Sequence, residues 1–124
     1  MAKKQVRLEI QAEDEKTIIE TTALMKDNIL TFFDKEKVKH EISFTESQIV
    51  YRKYGETSMA FYFEENKRTQ GIYTVMNNQI EFSIFTHKLI HKTEMLDIRY
   101  SLYQDNIKHH EAQFTLKYTP MKEG

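Results

Sequence analysis

The 124-residue chain is long enough for one domain around a single buried core, expected over residues 1–124. Its 18 Lys and Arg against 19 Asp and Glu, interspersed in sign, leave no broad basic field to hold nucleic acid or anionic lipid. With no cysteine, neither a disulfide framework nor a thiolate metal site can be built. The start, "MAKKQVRLEI", alternates in polarity where a signal peptide would carry an apolar run, and no later stretch approaches the roughly 20 apolar residues of a membrane helix, so a cytoplasmic protein is expected.

Ile, Val, Thr, Tyr and Phe together number 43 against 12 for Ala plus Leu. β-Branched and aromatic side chains suit a pleated, half-buried surface, and the chain reads as strands almost throughout. Val6, Leu8, Ile10 and Ala12 alternate with Arg7, Glu9 and Gln11 until "EDEK" breaks the run. A second strand, Thr17 to Lys26, turns at "KDN", whose Asp and Asn tolerate hairpin dihedrals, into a third from Ile29 to Phe33. After "DKEK", Val38, His40, Ile42 and Phe44 share one face of a fourth. "FTES" leads to Gln48–Tyr54, "YGET" to Ser58–Phe63 and "EENKR" to Gln70–Met76, with Asn77 and Asn78 as the next hairpin signal.

Ile80, Phe82, Ile84 and Thr86 alternate with polar neighbours, and the pattern weakens through "THKLIHKT". From Met95 it is clean again, with Leu96, Ile98, Tyr100 and Leu102 on one face, and "QDN" closes that hairpin. The last strand sets His110, Ala112, Phe114, Leu116 and Tyr118 opposite His109, Glu111, Gln113, Thr115 and Lys117. About ten strands on short loops, with no helix to cover an apolar face, predict an all-β antiparallel meander. Closure removes its two open edges, giving an up-and-down, lipocalin-like barrel of about 8 to 10 strands.

The run "VKHEISFTESQIVYRKYGETSMAFYFEENKRTQGIYTV", followed by "QIEFSIFTHKLIHKTEMLDIRYSLYQ" and "HHEAQFTLKY", resembles the YwiB-like family of bacterial proteins. The likeness spans about Ile19 to Tyr118 and lies in strand pattern and loop spacing. The stretch from Lys92 to Met95 is shorter than the family's usual hairpin. The resemblance implies a small calycin-type β-barrel; the family has no assigned function, and so brings no catalytic, ligand or cofactor residues. Shared architecture does not establish shared function.

His87 and His91 suggest a metal site only on a helix, where residues four apart share a face. On a strand they share a face about 13 Å apart, and one ion cannot be held by both. The alternation favours strand, with both histidines outward and no metal. His109 and His110 are adjacent and point to opposite faces of a strand. His110 and His40 lie on otherwise apolar faces, where a buried imidazole needs a partner from protein, water or ligand. Each is read either as a satisfied interior histidine or as a group orienting a ligand's polar head.

Tyr51, Tyr62, Tyr73, Tyr100 and Tyr118 could turn hydroxyls toward the same interior or simply pack. Arg52 could supply an internal cation for a carboxylate, although the phase of its strand is ambiguous. Arg99 alternates with the apolar face and points outward. No glycine-rich phosphate cradle, nucleophile elbow or metal-ligand cluster is present, so neither a cofactor nor a catalytic residue is expected and an enzyme is unsupported. Two functions lead, ahead of turnover of a lumen ligand with a histidine as general base. One is binding of a small apolar or amphipathic ligand in the lumen, near His40, His110, Tyr100, Phe114 and Arg52. The other is a barrel filled by its own large side chains, acting through its outer surface as an interaction or assembly module.

Overall fold

Ten antiparallel strands account for nearly all of the chain: β1 (Ala2–Ala12), β2 (Glu15–Lys26), β3 (Ile29–Phe33), β4 (Lys39–Phe44), β5 (Ile49–Tyr54), β6 (Thr57–Phe63), β7 (Arg68–Val75), β8 (Asn78–Lys92), β9 (Met95–Gln104) and β10 (Ile107–Pro120). The computed structural model describes residues 2–121; residue 1 and residues 122–124, which the single-domain reading includes, lie outside the described residues. Each strand pairs with its sequence neighbours, and β1 pairs with β10 to close the barrel. The fold is the expected all-β up-and-down barrel. Among the described residues no helix is long and apolar enough to cross a membrane.

Among the described residues, five of the nine non-glycine residues at positive φ are Asp or Asn, which tolerate it. Asp105 and Asn106, at φ 52° and 63°, form the two-residue turn expected at "QDN". The β7–β8 turn falls one residue earlier than the Asn77–Asn78 signal: Met76 and Asn77 carry φ of 49° and 66°, while Asn78 already pairs with Val75. The register between strands sets the turn, and an exposed Met is tolerated there.

Two bulges change side-chain phase. In β8 the register with β9 shifts between Thr86 and Lys88. Thr86 opposite Tyr100 faces inward, and past the extra residue Leu89 opposite Ile98 and His91 opposite Leu96 face inward instead. His87 and His91 therefore lie on opposite faces, which corrects the expectation that both point outward. A second shift, between Lys108 and His110 in β10, leaves His109 exposed while His110 turns inward beside Leu102.

One half of the interior is filled. Leu8, Ile42, Phe63, Ile98, Phe114 and Leu116 are fully buried there. His91 helps close that end, stacked on Phe44 at 4.8 Å and bonded through Nε2 to the Tyr118 hydroxyl at 2.8 Å. The other half carries aromatic rings on its walls. Phe61 meets Tyr73, Phe82 and Tyr100 edge-on at centroid distances of 5.8, 5.2 and 6.2 Å. Phe82 reaches this position because Gly71 opposite it on β7 has no side chain: a Cβ there would come within 2.2 Å of the Phe82 ring.

Gly71→Ala is expected to push Phe82 out of its place and to destabilise the barrel by about 1–3 kcal/mol, the usual cost of overpacking. Urea unfolding measures this directly; an unchanged midpoint would show that Phe82 does not rest on Gly71.

Candidate functional site

The second half of the interior is a cavity of about 560 Å³. Its apolar lining includes Ile10, Met59, Phe61 and Leu102, and its polar lining includes Tyr51, Lys53, Tyr73, Tyr100 and His110. The cavity also breaches the barrel wall. On β2, Thr17, Ile19 and Thr21 face inward while Ile18 and Glu20 face outward, yet all five line the same space. The reason is a short seam: β2 pairs with β3 only from Ala23 to Lys26, so its first half has no β3 partner. The loop after β3 stands across the gap, and Ile18 and Phe33, 45% and 54% exposed, flank the slit.

That loop carries a connected set of hydrogen bonds. Asp34 Oδ1 accepts hydrogen bonds from the backbone N–H groups of Glu36 and Val38, at 2.9 and 3.1 Å, and so shapes the turn. Its other oxygen, Oδ2, accepts from His40 Nε2 at 3.0 Å. His40 is 2% exposed, stacked parallel on Phe32 at 5.0 Å, and its Nδ1 lies 2.7 Å from the Tyr51 hydroxyl. Burial lowers the His40 pKa below its usual 6.5, against the opposing pull of Asp34, and nearby Lys53 adds to the lowering. Burial works to raise Asp34, but the hydrogen bonds from His40, Val38 and Glu36 outweigh it and hold the carboxyl below its ordinary range. A neutral imidazole beside an ionised carboxylate assigns the proton to Nε2, so Nδ1 accepts the Tyr51 O–H. What the chain presents to the cavity is the Tyr51 oxygen.

Burial raises the pKa values of Tyr51, Tyr73 and Tyr100, keeping all three hydroxyls protonated. Tyr51 spends its proton on His40. Tyr73 and Tyr100 line the cavity with no protein partner for their hydroxyls among the described residues.

The five residues singled out from sequence separate into three groups. His40, Tyr100 and His110 line the cavity, His40 through the bonded chain just described and His110 half-buried near the mouth. Phe114 does not line it: fully buried, the ring lies under Tyr51 at 5.2 Å and supports the floor. Arg52 is on the outside. Tyr51 pairs with Ile42 and Phe61 in the interior, so the next residue must face out, and Arg52 sits over the Tyr62 ring and donates to its hydroxyl at 3.3 Å. The inward cation is its neighbour Lys53. Lys53 and Asp34 were missed by sequence reasoning; two-residue alternation from Tyr51 points to the first, whereas Asp34 gives no signal beyond an ordinary turn. His87, exposed on the outer face, bonds through Nε2 to Ser101 at 2.6 Å.

A family model described as a domain of unknown function, DUF1934, matches residues 3–116. The chain belongs to the DUF1934 family. The solved structure of the ywiB protein from Bacillus subtilis is similar, with a TM-score of 0.65 at 19% identity, covering 97% of this chain and 91% of that one. At that identity the likeness shows the fold alone, and it agrees with the YwiB-like resemblance of the sequence. No curated protein matches.

In this DUF1934 barrel the native state resists protonating His40, whereas the unfolded chain accepts a proton near pH 6.5. Stability from His40 is therefore complete above pH 6.5 and is lost as pH falls through the lower native value. The slope for one proton is at most about 1.4 kcal/mol per pH unit. His91, also lowered by burial, acts in the same direction, and Asp34 adds a loss below its unfolded value of 3.8. Urea midpoints for His40→Gln, which keeps a donor and an acceptor without titrating, should decline less between pH 6.5 and 4.5 than those of the parent. Equal declines would remove His40 as the source.

Proposed function

We propose that this chain is a cytoplasmic binding protein that holds one small amphipathic molecule in the open half of its barrel. The observation that carries the reading is the 560 Å³ cavity, whose apolar and aromatic walls carry a few polar side chains. That volume falls within the range of about 300–1,000 Å³ common to small-molecule sites, and a few convergent polar groups on apolar walls are their usual composition. The filled-barrel alternative fits only the half packed by Phe63, Phe114 and their neighbours. The slit between β2 and the Asp34 loop gives a ligand a second approach through the wall, between Ile18 and Phe33. Catalysis receives less support, because both nitrogens of His40 are already engaged, by Asp34 and Tyr51.

The neutral fluorophore N-phenyl-1-naphthylamine tests the reading. The parent protein should bind it with one-to-one stoichiometry and a blue-shifted emission. Met59→Trp, which fills part of the cavity from a half-buried wall position, should weaken binding at least tenfold while the far-UV spectrum is preserved. No binding by the parent, or undiminished binding by a folded Met59→Trp protein, would overturn it.

A further inference from the structure

We infer, resting on the reading of the cavity as a ligand site, that the molecule held there carries an anionic oxygen group and that Lys53 is the residue that binds it. Lys53 is the one ammonium carried by an inward position of a strand lining the cavity among the described residues, paired in register with His40 on β4 and Met59 on β6, both of which line it as well. Its charge is felt there, since it helps to disfavour protonation of His40. Lys53 is half-buried at this inward position, and an anionic ligand would supply the counter-charge for its ammonium.

Two of the three carboxylates around the opening are occupied in other ways. Asp34 is engaged by His40 and by two backbone N–H groups. Glu20 points outward and pairs with Arg7. Glu36 belongs to the exposed loop, beside Lys35. Lys53 itself forms no ion pair with a described carboxylate. The hydroxyls of Tyr73 and Tyr100, held protonated by burial, add neutral donors to the same cavity. One ammonium with two hydroxyl donors beside aromatic walls is chemistry for a carboxylate or sulfonate on an apolar body. A neutral lipid or a cation would leave the ammonium without a partner.

The test compares two probes with one aromatic body, 8-anilinonaphthalene-1-sulfonate and N-phenyl-1-naphthylamine, which differ by the sulfonate. The parent should bind the sulfonate at least fivefold more tightly. Lys53→Met should lose at least tenfold toward the sulfonate and less than twofold toward the neutral probe. Arg52→Met, which removes the same charge from the adjacent outward position, should leave both affinities unchanged. Equal losses for both probes in Lys53→Met, no loss for either, or an Arg52→Met protein that behaves like Lys53→Met would overturn the inference. If the parent binds the neutral probe as tightly as the sulfonate, the cavity reading stands and the anion inference falls. If it binds neither, both fall.

Discussion

A sheet closed on itself admits only every second side chain to its interior, and the ten strands of this barrel enclose more space than an eight-stranded barrel, whose lumen side chains can just fill. Everything distinctive about the molecule follows from how that space is divided. Large residues meet across the closed half, where Phe63, Phe114, Leu8 and Leu116 exclude solvent. In the other half several inward positions between the aromatic rings are taken by smaller or polar groups, including Ala12, Ala112, Thr17, Thr21 and Lys53, and the walls do not meet. The short β2–β3 seam then leaves the wall itself incomplete on that side.

Within the open half, order comes from a loop. Asp34 spends one oxygen on the turn that places it and the other on His40, so the loop conformation and the imidazole orientation are fixed together. His40 in turn fixes the Tyr51 hydroxyl, which stands over Phe114 of the filled half. The polar chain thus connects the flank of the slit to the floor of the cavity, and its members are supported by aromatic stacking as well as by hydrogen bonds. Family membership and the structural likeness speak to the barrel and not to what it holds, so the functional argument rests on these side chains.

Much of the fold was legible in the sequence because alternation, β-branched composition and Asp/Asn turns all describe local geometry. Where local geometry was interrupted by one residue, legibility failed. The bulge between Thr86 and Lys88 has no composition of its own, and it turns His91 to the inward face, exposed at the closed end, while His87 stays outside. The phase of β5 was obscured because Val50, on the outer face, is as apolar as the inward Ile49, leaving Arg52 and Lys53 hard to tell apart until the pairing of Tyr51 with Ile42 and Phe61 decides it. Asp34 lies six residues before His40 in a charged turn, and only the path of the chain after β3 brings the two together. Phe114 was correctly read as interior, but periodicity gives the face of a strand and not the depth along the barrel, which is what separates floor from cavity.

The division of the interior into a filled and an open half is the claim on which the rest depends. Backbone amide shifts recorded by NMR during titration with N-phenyl-1-naphthylamine test it most directly. The account predicts perturbations concentrated at Tyr51, Tyr73, Tyr100 and Ala112, around the cavity, with Val6, Phe44 and Leu116 unmoved. Perturbations centred on the closed half, or spread over the outer face, would contradict it.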